Sequence, residues 1–447
     1  MSKHATREAA LHILDQIDKN QSYSNLLLNH AIKKFAINPK DTGLLTEVTY
    51  GTIQRKMTLD YYLEPFLKKK VEGWVRNLLR LSLYQMLYLD RVPERAAIHE
   101  AVEIAKKKGH KGISGMVNGV LRSIQREGVR SIEDIQDPLE RLAIETSHPI
   151  WLVARWTEQF GHEKTRAMCE KNLLAPVQTA RVNLTRLTRE EAIENLAKEG
   201  IEAEKSEIAL AGIQVKRGNI AHTDSYKRGE LSVQDESSML VAEALDPVSG
   251  EIILDMCAAP GGKSAHIAEK MNNQGRLISL DLHEHKVKLI NEAAARLGLS
   301  IIETHALDGR KLQEKFPDLT FDRILVDAPC SGLGVMRKKP DIKYAKSEQD
   351  LNALSKIQLE LLDAAVNSLK KGGTLVYSTC TVDRSENEGT VLAFLTKHPE
   401  MELVMPESLP EAVRSLVTDE MLQIFPQDFG GDGFFIAKFR KKAAVTD

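Results

Sequence analysis

The residues able to do chemistry lie in short stretches of the C-terminal half. The run Asp255-Met-Cys-Ala-Ala-Pro-Gly-Gly-Lys263 follows the apolar Ile252, Ile253 and Leu254 and precedes a helical pattern at Ser264, Ile267, Ala268 and Met271. It reads as strand, glycine turn, helix. Such a turn puts unpaired backbone N–H groups at a helix start, and Gly261 and Gly262 let a ligand approach the main chain. A P-loop needs G-x-x-x-x-G-K-[ST]. The window from Cys257 supplies Gly262, Lys263 and Ser264 but has a cysteine where the first glycine belongs. Pro260 also removes a donor from the loop that would cradle phosphate. The dinucleotide pattern G-x-G-x-x-G is absent from this turn. A ligand turn with little provision for phosphate suits S-adenosyl-L-methionine, which carries none.

The other reactive groups recur where strands should end. Asp281 closes a second strand about twenty residues beyond the turn, where an acid accepts hydrogen bonds from ribose hydroxyls. Asp308 follows a third strand and could meet an adenine amino group or simply make a turn. A fourth strand ends in Asp327-Ala-Pro-Cys330 and a fifth in Tyr377-Ser-Thr-Cys380, so two thiols should point into one crevice. Cys169 and Cys257 read instead as small core hydrophobes. A thiol beside a methyl donor has a natural use. Cytosine C5 is too poor a nucleophile to take a methyl group directly, but thiolate addition at C6 gives an enamine whose C5 can attack a sulfonium methyl. Spacing leaves open which cysteine attacks.

These groups need a scaffold. Strand patterns at 252–255, 276–281, 301–304, 323–327 and 374–378 alternate with helical patterns at 264–271, 285–297 and 349–369, which predicts a doubly wound α/β sheet with ligands outside the carboxyl ends of its strands. The ending Gly430-Gly-Asp-Gly-Phe-Phe reads as a turn into a closing strand. Upstream, residues 176–231 predict a small β-α-β piece without an aromatic RNA-stacking signature, and residues 1 to about 130 are helical throughout. The expected division is 1–135 all-α, 136–230 helical plus a small α+β module, and 231–447 Rossmann-like.

Bulk properties restrict the partners. The 447-residue chain has a net charge of −2, yet residues 1–135 hold 22 Lys+Arg against 15 Asp+Glu, so the front is net +7 and the remainder −9. A modest basic patch on the first third is expected. The four cysteines show no C-x-x-C, which predicts neither a disulfide framework nor a metal site. Without an apolar run of spanning length or a signal-peptide core, a cytoplasmic monomer away from membranes is expected.

The run from Arg80 to Lys107, followed by Met116-Val-Asn-Gly-Val-Leu-Arg122, resembles the RNA-binding domain of the NusB antitermination family over most of residues 4–126. That resemblance implies RNA contacts, with Lys3, Arg7, Arg80, Lys106, Lys107, Lys108, Lys111 and Arg122 as candidates. The small module resembles the RNA-recognition-motif-like (RRM-like) one that precedes the catalytic domain in RNA cytosine methyltransferases. DNA cytosine methyltransferases attack with the Pro-Cys thiol, which would select Cys330. The segments D-M-C-A-A-P-G-G-K, V-D-A-P-C-S-G-L-G, R-K-K-P-D-I-K-Y and Y-S-T-C-T-V-D-R-S-E-N-E are instead similar to the RNA cytosine-C5 methyltransferases, where the Thr-Cys thiol attacks. With the NusB-like front, the chain resembles the bacterial 16S ribosomal RNA methyltransferase B family. The resemblance implies Cys380 as nucleophile, Cys330 as the thiol aiding proton removal and release, and Asp327 against the base. It also implies Cys257, Ala258, Ala259, Pro260, Gly261, Gly262, Lys263, Asp281, Asp308 and Asp327 around the cofactor, and Arg337, Lys338 and Lys339 on RNA phosphates. Two alternatives are a P-loop-like nucleotide-binding protein and a non-enzymatic NusB-like RNA-binding factor.

Overall fold

The computed structural model describes residues 4–20 and 24–443, which gather into two compact units. One holds Met1–Leu174 together with Met336–Ala345; the other holds Ala175–Val335 and Lys346–Asp447.

The first unit is all-helical. Helices Ala5–Asn20, Thr42–Gln54, Glu94–Lys108 and Lys111–Glu127 pack around Gly73–Tyr88, which is buried on every face from Asn77 to Gln85, bringing Ile13, Leu45, Val48, Leu79, Leu83, Ile98 and Leu121 into a single core. Pro93 sits at the N-cap of Glu94–Lys108, where its missing N–H is no loss. Asp137 accepts a hydrogen bond from Glu140 N and so starts Pro138–Thr146. Trp156 is fully buried, as a core anchor.

Met336–Ala345 is built into this unit although it lies far along the chain. Asp341 accepts from Ser24 Oγ at 2.5 Å, and Gln54 Nε2 donates to Met336 O at 3.0 Å. Lys343 Nζ donates to Gln54 O at 2.8 Å and to Gln54 Oε1 at 3.2 Å, and the Tyr344 hydroxyl meets Ser147 Oγ at 2.9 Å. Arg337 is only 5% exposed and donates to Leu174 O. The expectation that Arg337 meets RNA phosphates is therefore corrected, because its side chain is buried within the unit. Its guanidinium closes a packed insertion. Arg80, also expected on RNA, is buried and held by Asp60 and Asn77. Lys3 lies outside the described residues.

In the second unit a four-stranded antiparallel sheet comes first, with strands β1 (Gln178–Val182), β2 (Glu202–Lys205), β3 (Gly212–Arg217) and β4 (Leu231–Val233) in the order β2-β3-β1-β4. Helix Arg189–Lys198, closed by a Thr188/Glu191 capping box, contributes Ala192 and Leu196 to its core. From β1, Arg181 is fully buried and makes a bidentate pair with Glu269, both bonds 2.9 Å, while its Nη1 donates to Gly262 O at 2.8 Å. The module thus spends this strand on holding the glycine turn, which fits its lack of stacking aromatics.

The larger sheet has nine strands. They are β5 (Ile252–Asp255), β6 (Arg276–Asp281), β7 (Ile302–Ala306), β8 (Phe321–Asp327), β9 (Leu369–Thr379), β10 (Met401–Leu403), β11 (Val417–Thr418), β12 (Met421–Ile424) and β13 (Phe434–Lys441), in the order β11-β12-β13-β9-β8-β5-β6-β7, with β10 on β13. Strands β5 to β9 are parallel, whereas β10 to β13 add antiparallel neighbours, so the sheet is mixed. The direction of winding reverses between β5 and β8. That is where an open α/β sheet leaves a crevice at its carboxyl edge. Among the described residues no helix is long and apolar enough to cross a membrane.

Candidate active site

The crevice is built from the ends of five adjacent parallel strands. After β5 the chain turns at Gly261, whose φ of +101° favours glycine and whose added Cβ would come within 3.0 Å of Ile290 Cα. Gly262 opens the helix Gly262–Lys270, and a Cβ there would find no protein atom nearer than 3.9 Å. Space therefore remains over the turn. Beneath it Asp255 is fully buried. Ser264 Oγ donates to its Oδ2 at 2.6 Å and accepts from Ser279 Oγ at 3.0 Å. Burial, reinforced by the neighbouring Asp327, pushes the Asp255 carboxyl up to about 7 against the Ser264 hydrogen bond.

Asp281 ends β6 with one carboxylate oxygen accepting from His283 N at 3.1 Å and Lys286 Nζ 3.8 Å away. Asp308 caps the short turn after β7, accepting from Arg310 N and pairing with the Arg310 guanidinium. It does the turn's work and still lies on the same edge. Burial raises the Cys257 thiol well above its ordinary range, and Asp255, Asp327, Asp281 and Asp308 push the same way. Asp327, Asp281 and Asp308 thus bring negative charge to one spot beside the glycine turn, together with the raised Asp255 carboxyl. Such a field suits a cation without phosphates, and the acid-lined turn fits the sulfonium and ribose of S-adenosyl-L-methionine.

Strands β8 and β9 bring the reacting groups together. Lys263 Nζ pairs with Asp327 Oδ2 at 2.8 Å and lies 5.2 Å from the centre of the Phe434 ring, while Ser378 Oγ donates to Asp327 Oδ1 at 2.8 Å. The sulfurs of Cys330 and Cys380 are 3.3 Å apart. Both side chains are partly buried, and all four cysteines are free thiols. The hydrogen bond from Cys330 lowers the Cys380 thiol, with help from Lys263 and against burial, Asp327 and Asp432. Cys330 is raised by that same bond, by burial, by the charge on Cys380 and by Glu386. Both shifts favour a negative charge on Cys380 over one on Cys330. Close backbone approach fixes the pair. Gly334 N donates to Cys380 O at 3.0 Å and Gly433 N to Gly334 O at 2.8 Å.

All the expected crevice residues share one sheet edge, including Ala258, Ala259 and Pro260 in the turn. Ser378, Phe434, Ser331, Thr381 and Glu386 were not expected. The only trace of the last three in the sequence is their place inside the quoted motifs. Among the described residues no group of three His, Cys, Asp or Glu side chains could hold a metal ion.

Residues 242–440 match the family described as 16S rRNA methyltransferase RsmB/F, residues 4–126 the NusB family, and residues 148–221 the ferredoxin-like domain of RsmF/B-like methyltransferases. A relative described as probable ribosomal RNA small subunit methyltransferase B, from Bacillus subtilis, is 56% identical over 99% of this chain and 100% of its own. The crystal structure of PH0851 superposes with a TM-score of 0.84 at 26% identity, covering 99% of both chains. A methyltransferase homolog protein from Pyrococcus horikoshii gives 0.59 at 27% identity, covering 69% of this chain and 100% of that one.

Proposed function

The chain belongs to the RsmB/F family of methyltransferases, and from that premise we propose that it methylates C5 of a cytosine in 16S ribosomal RNA through a covalent cysteine adduct. The observation that carries this reading is the pair of thiols 3.3 Å apart, beside an acid-lined glycine turn and facing Lys263 and Asp327. Residues 1–135, 136–230 and 231–447 are proposed as its RNA-binding, linking and catalytic modules. Lys106, Lys107, Lys111 and Arg122 are offered as phosphate contacts on the first. The reading places the protein in the cytoplasm.

S-adenosyl-L-methionine, held by Cys257 to Lys263, Asp281 and Asp308, supplies an electrophilic methyl group when bound. Cys380, ionised by the Cys330 hydrogen bond and the Lys263 charge, adds to C6 of the base and so places electron density on C5. Asp327, oriented by Ser378 and Lys263, is positioned to hydrogen-bond the polar edge of the base. Once C5 carries the methyl group its proton must leave. With Cys380 tied up as a thioether no anion holds the Cys330 proton, so that thiol can give it to solvent and, as thiolate, accept the proton from C5. Loss of the proton restores the ring double bond and expels Cys380 as thiolate. The base must leave any stack to reach the crevice, so an accessible loop or unfolded rRNA is the expected substrate.

The test is to purify Cys380→Ala and Cys330→Ala and follow methyl transfer to 16S rRNA together with a denaturation-resistant protein–RNA band. Cys380→Ala should lose both methylation and the band, and Cys330→Ala should accumulate the band. Full turnover by Cys380→Ala would overturn the assignment. Mapping 5-methylcytosine in rRNA with and without the protein identifies the base.

A further inference from the structure

Each of the two reactive cysteines is followed by a hydroxyl residue, and behind the crevice those hydroxyls meet. Ser331 Oγ and Thr381 Oγ1 lie 2.8 Å apart, and both residues are buried. Glu386, fully buried, accepts from Ser331 N at 2.8 Å, from Ser331 Oγ in a short contact and from Gln358 Nε2 at 3.0 Å. Gln358 Nε2 also donates to Pro329 O at 3.0 Å, immediately before Cys330. Ser331 has one hydroxyl proton, and the carboxylate takes it. Thr381 must therefore donate to Ser331, which fixes the direction of a chain from Thr381 through Ser331 to Glu386.

A carboxylate is an expensive way to build such a brace. Among the described residues no Lys or Arg forms an ion pair with Glu386, and burial pushes its carboxyl above the ordinary range against the Ser331 and Gln358 hydrogen bonds, a cost that an amide of the same shape would avoid. A group retained at that cost should act through its charge. Glu386 lies behind the loop of Cys330, the thiol that must keep its proton until the adduct has formed.

We propose that Thr381, Ser331 and Glu386 form a clasp that sets the spacing of the two thiols and keeps the proton on Cys330, making all three positioning residues for adduct formation and release. The proposal rests on the methyltransferase reading above, but the state of the thiols can be measured without RNA. Cys380 is faced by Cys330, Asp327, Lys263 and Asp432, and Cys330 by Cys380, Glu386 and the Tyr377 phenol. Of these, only Glu386 belongs to the clasp.

The experiment is iodoacetamide alkylation of the full-length protein across pH, with each cysteine read by mass spectrometry. In Thr381→Val and Ser331→Ala the spacing loosens and Cys380 loses its donor, so its alkylation midpoint should rise by about one pH unit. Thr381→Ser keeps the hydroxyl and should restore the native midpoint. Glu386→Gln should lower the Cys330 midpoint. With 16S rRNA, the same shifted variants should lengthen the life of the covalent band relative to the unsubstituted chain. Should Thr381→Val fail to fold, Ser331→Ala with Thr381→Ser decides the matter. Native midpoints for both cysteines in folded Ser331→Ala and Glu386→Gln would overturn the clasp. Shifted midpoints in a protein that transfers no methyl group to RNA would leave the clasp standing and remove the reading on which its catalytic role rests.

Discussion

Lys263 faces three carriers of opposite character: the Asp327 carboxylate, the Phe434 ring and the Cys380 sulfur. Replacing it by methionine keeps the length of the side chain and removes the charge. The Cys380 thiolate then loses a stabilising cation and faces an uncompensated Asp327. The alkylation midpoint of Cys380 should rise in Lys263→Met, and adduct formation at neutral pH should slow in proportion to the lost thiolate. A midpoint equal to that of the unsubstituted chain would show that the lysine acts on Asp327 alone. Lys263 was legible in the sequence because it ends a glycine turn. Its partner Phe434 was not, since an aromatic in a closing strand reads as core, and only the pairing of β13 with β9 brings it to the crevice.

At the scale of elements, the reactive loops are held by backbone contact that leaves no room for a side chain. A Cβ on Gly334 would lie 2.0 Å from Gly433 O and 2.8 Å from Cys380 O. Gly334→Ala must push the Cys330 loop away from β9, at a cost of roughly 1–3 kcal/mol, and the two thiols should separate with it. Chemical denaturation together with the Cys380 midpoint checks both effects. Gly119, exposed in the middle of Lys111–Glu127 with nothing within 4 Å, is the contrast. Gly119→Ala should stabilise by roughly 0.5–1 kcal/mol because the helix loses a flexible residue. Strand ends were readable because an acid or a cysteine follows each apolar run. Thr381 and Glu386 escaped notice although they lie inside a quoted motif, because polar residues that carry no reactive group look solvated until the fold buries them.

For the molecule as a whole, the segment Met336–Ala345 is the largest departure from what the sequence suggests. R-K-K-P-D-I-K-Y has the composition of an exposed basic loop, and its burial depends on Ser24, Gln54 and Ser147, far away in sequence. No local pattern encodes such an arrangement. Lys343 is the sharpest case, fully buried with its ammonium pushed down to about 7 by desolvation. Because the folded value lies below that of the unfolded chain, the penalty is complete below about pH 7 and fades as the pH rises toward the ordinary lysine range. Stability of the helical unit should climb across that window by at most about 1.4 kcal/mol per pH unit. Lys343→Met should flatten the climb, as read from urea midpoints at several pH values. Parallel profiles for the two proteins would show that the lysine is not desolvated.

The same segment has a consequence for biogenesis. Residues 1–174 leave the ribosome first, but the unit they belong to also needs residues 336–345, which emerge many seconds later at about 5–20 residues per second. Throughout that delay the nascent helices wait with Gln54 and Ser147 lacking their native partners. Chain growth, and not the local speed of helix formation, therefore sets the earliest moment at which the front of this protein can be finished.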